Sequence, residues 1–429
     1  MFLQPLPRET KIKLVCLIVL TGFIVAIVYH AYQGIFLQLP YPFNTFLFLP
    51  LDRFNDFYNG FYTCKNFNPY FEPGYFWPLR AMFPFLYFIY CLMALFDGKT
   101  MLVLLLVSSF AFIFYINYKN CQVVNKTTTF LYALILSCLS YPVIFTLDRA
   151  NTESWLYILL YFAVSFFHQQ KYTKSAIFFS FVFAMKPFPA IFGILFVGKK
   201  RFKEILLMIF LTLFLTIVPL FSFKSGFWNN LNHLRYSLDD VYPKNYILQH
   251  GGLAYGNSLW GVIKITHASL ATNIKASNLE ALIPIYSPMY SLYNKICWVM
   301  LALVLLYVLL VEQTFWKKIA LLTFSMNLLP AVSGDYKLLY VFIPLFLFIN
   351  FSKKSRWDFV YLVLFSLLLI PKNYDQFVFP NLFINKMANI GIVINPMLMS
   401  LISFLIIAQG LNRLRQRLRN KPISLSTNS

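Results

Sequence analysis

The sequence predicts an all-α polytopic membrane protein, and three observations predict it. Hydrophobic residues make up 59% of the 429-residue chain and charged residues only 12%, whereas a soluble domain carries about 25% charged residues. The apolar residues fall in runs near the roughly 20 that span a bilayer. The charges sit between those runs as short, mostly basic punctuation. With 36 Lys+Arg against 15 Asp+Glu the net charge is +21. A nucleic-acid reader gathers such charge into one patch or stripe, so no nucleic-acid partner is expected. Disorder, which needs low hydrophobicity, is excluded as well.

The elements follow in chain order. Run 13–34 has a basic start (Arg8, Lys11, Lys13) but no small-residue cleavage site after it, so a retained first membrane helix is expected. A long loop, 35–99, contains the apolar piece 76–96, interrupted by Arg80 and Pro84 and read as juxtamembrane or re-entrant. Spanning runs follow at 100–118 and 127–147, with a shorter one at 154–168. Residues 175–198 are interrupted by Lys186-Pro187-Phe188-Pro189. Proline removes a helix hydrogen bond and clashes with the previous turn, and broken helices are tolerated where they line a cavity. Two short helices meeting at Lys186 are therefore expected. Run 205–223 leads into a second long loop, 224–291. Runs 292–312, 318–334, 337–350, 357–371 and 392–410 complete the set, with the turn Ser333 to Lys337 between two of them. Counting the halves separately gives about 12 membrane segments. One membrane domain, 1–411, and a basic cytoplasmic tail, 412–429, are expected. No internal repeat is apparent.

Orientation comes from the basic loops. With the N-terminus inside, loops 119–126, 169–174, 199–204, 313–318 and 351–356 and the tail all lie inside, as the positive-inside rule requires. The acids play no part in that choice, yet 11 of the 15 fall on the other side. That side gathers Asp52, Asp56, Asp148, Arg149, Glu153, Lys186, Arg235, Asp335 and Lys337.

Ionisable groups beside apolar helices are functional candidates by default. A carboxylate serves as general base towards an alcohol, and cations stabilise a phosphate leaving group. The combination suits transfer from a phosphate-linked donor to a hydroxyl. Plainer readings stand beside it: Asp56 or Asp52 as a loop carboxylate or cap, Asp148 or Asn151 as a helix cap, and Lys186 as a residue snorkelling to headgroups. The histidines 233, 250 and 267 lack metal-site spacing, and His250 is a weak phosphate candidate. The six cysteines form no CxxC pair. Walker, GxSxG, HExxH and dinucleotide fingerprints are missing, so no metal or cofactor is expected.

Four stretches carry a resemblance. They are Asp56-Phe-Tyr58 with Asn68-Pro-Tyr70 and Tyr75-Phe-Trp-Pro-Leu79; the turn Arg149-Ala-Asn151; Lys186-Pro-Phe-Pro189 with the basic Lys199-Lys-Arg201; and Gly256-Asn-Ser-Leu-Trp-Gly261. In this order, extended by Ser333 to Tyr336, they resemble the bacterial polyprenol-phosphate-sugar-dependent glycosyltransferases of the GT-C superfamily. Glycosyltransferase family 87, which includes polyprenol-phosphate-mannose mannosyltransferases, is the most similar. The resemblance implies a GT-C fold with juxtamembrane helices in the first outer loop. It implies Asp56 as general base, with Arg149, Asn151, Lys186, Asp52, Tyr58, Tyr75, Tyr336 and Lys337 binding substrate. It implies a polyprenyl-phosphate sugar as donor, a lipid or glycan as acceptor, and a site on the non-cytoplasmic side of the cell membrane. Two departures stand out: Ala150 where the family commonly has Gly, and no Asp-x-Asp. A lipid-linked-sugar transporter and a non-catalytic envelope scaffold are the alternative readings.

Overall fold

The computed structural model describes residues 6–71, 82–249, 255–270, 283–374 and 389–419. Among these, seventeen α-helices and a few single-turn segments carry the fold, with no strand beyond one antiparallel bridge, Gly256 to Gly334. The all-helical, multi-span character expected from the sequence is present.

Helix α1 is Arg8–Ala31. The first long loop holds α2, Asn55–Thr63, and α3, Pro84–Met93. Proline suits the start of α3, because the N–H it lacks has no helical partner there. Helix α4, Gly98–Asn120, is capped by Asp97, which accepts from the Thr100 N–H at 2.9 Å. Helix α5, Lys126–Cys138, is capped by Asn125, which accepts from the N–H groups of Thr127 and Thr128. The run 127–147 is not one straight helix. It bends by 53° into α6, Tyr141–Asp148. Pro142 at the second position of α6 cannot donate into the preceding turn, which stops α5 before it.

Helices α7, Glu153–His168, and α8, Tyr172–Met185, form the next pair. The chain breaks after Met185 as the prolines require. Lys186 is extended (φ −149°, ψ 135°), the conformation that a following proline imposes. A 3-10 segment, Phe188–Gly193, then leads into α9, Ile194–Gly198. Helix α10 is Phe202–Ser222. The second long loop carries α11, Phe227–Tyr236, and α12, Leu259–Leu270. Helix α13, Ile283–Leu310, begins before the expected 292. The last four are α14, Phe315–Leu328; α15, Phe342–Phe351; α16, Asp358–Leu369; and α17, Gly391–Arg419, which carries helix into the basic tail.

Five of these are long and apolar enough to cross a membrane: α1 with its continuation to Phe36, α4, α10, α13 and α17. A sixth appears if α5 and α6 count as one bent span. Helices α3, α8 and α16 and the segment Phe188–Gly198 are apolar but shorter. The expected dozen is therefore not reached by length and composition.

Packing sorts the helices. Helix α8 lies between α7 and α10, α14 packs on α15, and α1 on α16. Helix α15 is buried on every side from Phe342 to Ile349. By contrast α10 and α13 expose Leu206, Phe210, Phe214, Leu303 and Leu306, the all-round apolar surface of lipid-facing helices.

Helix α7 serves as a ruler. Its 16 residues span roughly 24 Å at 1.5 Å per residue. Glu153 opens it. At its other end His168 packs on Phe315, the first residue of α14, at 5.0 Å, and on Phe351, the last of α15, at 4.5 Å. The turn 333–337, joining the opposite ends of α14 and α15, thus returns to the Glu153 face.

Candidate active site

The chain turns from α6 to α7 through Arg149-Ala150-Asn151. Ala150 has φ +47°, the left-handed region that only Gly enters easily. The turn aims both flanking side chains at one carboxylate. Arg149 Nη2 donates to Asp56 Oδ1 at 2.5 Å, and Asn151 Nδ2 donates to Asp56 Oδ2 at 2.7 Å. Arg149 Nη1 donates to the Asp52 carbonyl at 2.8 Å, and its guanidinium lies 4.2 Å from the Phe48 ring centroid. The N–H of Phe54 donates to the Asp148 carbonyl at 2.9 Å, fixing the first turn of α2 against this corner. The Asp56 side chain stays 23% exposed, so a ligand can reach it. Burial works against the Arg149 charge, but Asp56 and Asp52 outweigh it and hold its proton more tightly than in a free arginine.

A second ion pair adjoins the first. Asn151 Oδ1 accepts the Glu153 N–H at 2.9 Å, linking the two. The Glu153 carboxylate is buried and accepts from the Lys186 ammonium and from the Tyr340 hydroxyl. Lys186 reaches it because the proline break turns the chain out of α8. Lys186 Nζ lies 5.6 Å from the Tyr336 ring centroid, and Lys337 Nζ lies 4.8 Å from that of Phe188. Tyr336 interacts electrostatically with Glu153, Asp56 and Arg149, so it borders both pairs.

Backbone atoms hold the turn that carries Tyr336 and Lys337. The Asn257 N–H donates to the Ser333 carbonyl at 2.7 Å, and the Asp335 N–H to the Tyr255 carbonyl at 2.9 Å. The Ser258 hydroxyl adds a bond to the Ala331 carbonyl at 2.9 Å. The stretch 256–261 is therefore a clip for this turn. Gly334 is required in it, since a Cβ there would lie 2.6 Å from the Tyr336 ring. The buried Asp335 accepts from the Tyr141 hydroxyl at 2.5 Å, and burial pushes its carboxyl up to about 6.

Six candidate residues thus share one corner: Asp56, Arg149, Asn151, Lys186, Tyr336 and Lys337. Asp52 meets Arg149 through its carbonyl, which accepts from Nη1, and among the described residues no hydrogen bond to its carboxylate is seen. Tyr58 lies two residues past Asp56 on α2, which turns it to another face, and its ring stacks on Tyr62 at 5.7 Å. Tyr75 and His250 lie outside the described residues. Arg235 pairs with Asp239 on its own exposed surface. Asn68 and Tyr70 act as braces: Asn68 Oδ1 accepts from Ser225, and the Tyr70 ring is fully buried. Glu153 and Tyr340 were missed as partners. Glu153 reads in sequence as an acid at a positive helix end, and nothing in sequence links it to Tyr340, 187 residues away. Among the described residues no group of three or more His, Cys, Asp or Glu side chains is placed to hold a metal ion.

No curated protein matches the chain. A family model does match, over residues 84–333. That range contains Arg149, Asn151, Glu153 and Lys186, begins after Asp56 and ends at the start of the Ser333 turn. It covers more than half of the sequence, and the chain belongs to glycosyltransferase family 87.

Proposed function

We propose that this membrane glycosyltransferase moves a hexose, with mannose the first candidate, from a polyprenyl-phosphate donor to a hydroxyl of a cell-envelope glycolipid or glycan. The site faces the non-cytoplasmic side of the cell membrane. The observation that carries the reading is one corner holding a partly exposed carboxylate, Asp56, with Arg149, Lys186 and Lys337 around it.

Arg149 and Asn151 hold the two Asp56 oxygens. An incoming phosphate diester is an anion and competes for Arg149, with Lys186 and Lys337 adding attraction. Asp56 then keeps Asn151 while Arg149 turns to the phosphate, which frees one carboxylate oxygen to meet the acceptor hydroxyl. It accepts the proton of the acceptor hydroxyl, whose oxygen attacks the anomeric carbon. The bond from that carbon to the phosphate oxygen breaks, and polyprenyl phosphate leaves with its charge stabilised by the cations. One displacement inverts the anomeric centre.

The test is purified protein with polyprenyl-phosphate mannose and candidate acceptors, scored for released polyprenyl phosphate. Asp56→Asn is expected to abolish release while the chain still folds. Full activity in that variant would rule out Asp56 as the base. Polyprenyl-phosphate glucose in a parallel arm decides the sugar.

A further inference from the structure

A cavity of about 130 Å³ lies at the far end of α7, opposite the Asp56 face. Its inner walls are apolar, with Phe167 at the end of α7, Leu195 on α9 and Val308 on α13. Its polar rim is Lys199, Gln313 and Lys318. The two lysines come from different elements and are close enough to repel each other. Neither forms an ion pair among the described residues. The nearby carboxylate, Glu312, is already committed: it pairs with Arg413 at 2.8 Å and accepts the N–H groups of Gln313 at 2.9 Å and Thr314 at 2.7 Å. Glu312 acts on Lys318 as well as on Arg413, so Lys199, Lys318 and Arg413 gather around one carboxylate and leave a net positive charge that an anion would offset.

The surroundings say which kind of anion fits. Val197, Leu306 and Leu310 flank the cavity and are exposed, on helices whose outer faces are apolar. A soluble anion has no use for that surface, whereas a lipid meets cations with its phosphate and the apolar flank with its chains. We propose that this cavity is a binding site for an anionic phospholipid, its phosphate held between Lys199 and Lys318 and an acyl chain laid along α13. The site is separate from the sugar-transfer corner, roughly the length of α7 away.

The experiment uses the full chain in detergent, with dioleoyl phosphatidylglycerol or dioleoyl phosphatidylcholine added and bound lipid read by native mass spectrometry. The wild type is expected to prefer phosphatidylglycerol about 10-fold, since each basic residue near a headgroup contributes a several-fold factor. Lys199→Gln with Lys318→Gln should erase that preference. Lys171→Gln with Lys174→Gln removes the same charge from the same face and should leave it intact. Gly198→Leu tests the cavity without touching charge. A Cβ there already meets Leu309 at 3.3 Å, so the larger side chain fills the space and should expel the lipid. Equal loss in both lysine pairs would mean diffuse surface attraction and would overturn the site. Displacement of the lipid by an equal concentration of inorganic phosphate would overturn the lipid assignment.

Discussion

Lys11 and Asp358 pair at 3.1 Å at the far face, with side chains 3% and 0% exposed, while Arg149 and Asp56 pair at 2.5 Å at the other face with 10% and 23%. The first pair joins α1 to α16 and also takes in Ser352 at the end of α15. It is sealed, and its task is to hold helices together. The second pair joins the α2 corner to the α6–α7 turn and stays open to a ligand. Aromatic rings take part at both faces, with Lys11 over Phe348 and Arg149 over Phe48, so burial and not partner type separates the two. A sealed pair spends its attraction on the fold, and an open pair can exchange its partner for an incoming anion.

Substitutions can break that contrast. The largest effect is expected from Asp56→Asn, a fall in transfer of about 10²–10⁴-fold, the usual worth of a positioned base, with a smaller loss of stability than a sealed pair shows, because Asp56 is partly open to solvent. Asp358→Asn should do the reverse. Stranding Lys11 in a sealed site costs about 3 kcal/mol or more of stability, seen as a lowered melting temperature, with activity per folded molecule unchanged. Lys186→Met probes the intermediate case, since Lys186 is partly exposed but Glu153 is sealed. It should raise the donor KM about 10-fold or more and also lower stability, because a buried carboxylate loses its charged partner. If activity loss and stability loss fail to separate between Asp56→Asn and Asp358→Asn, the contrast falls.

Smaller effects sharpen it. Asp335 holds its proton more tightly when folded than the ordinary 3.8, up to about 6, through burial. Its support for folding is complete below pH 3.8 and is lost as pH rises to about 6. Asp335→Asn has no such loss. It should melt higher than wild type above pH 6, by the order of 1 kcal/mol, and not at pH 3.5. The smallest effect is expected from Ala150→Gly, which relieves the left-handed turn by about 1 kcal/mol. Thermal unfolding reads it, and transfer should persist because the Arg149 and Asn151 side chains are untouched.

Much of this was legible in the sequence. Apolar runs became helices, and Lys186-Pro187-Phe188-Pro189 ended α8 where steric exclusion before proline demands. The turn 149–151 was also legible as a polar window, because its charges interrupt two apolar runs. Pairing was not legible. That Arg149 meets Asp56 and Glu153 meets Lys186 depends on helices separated by long stretches of chain. The bend between α5 and α6 was missed because Pro142 sits in a run apolar enough to pass for one span. Of the twelve expected segments, five or six meet the length and composition of a straight span among the described residues, for a related reason. Helices such as α8 and α16 are apolar but shorter than a straight span, so an apolar run in the sequence does not by itself fix the length of its helix.

The clip between 255–257 and 333–335 is made almost wholly of main-chain hydrogen bonds. Side chains then lock that register: Tyr255 donates to the Leu47 carbonyl, Asn257 accepts from Asn395, and the fully buried Trp260 donates to the Ile247 carbonyl. This part of the second loop therefore has little room to drift in sequence, because a change at Asn257, Ser258 or Trp260 would loosen the clip that keeps Tyr336 and Lys337 in position. Across the clip Gly334 is equally constrained, because a Cβ in its place would lie 2.6 Å from the Tyr336 ring. An engineer reshaping this face would hold both halves of the clip fixed and vary residues outside it.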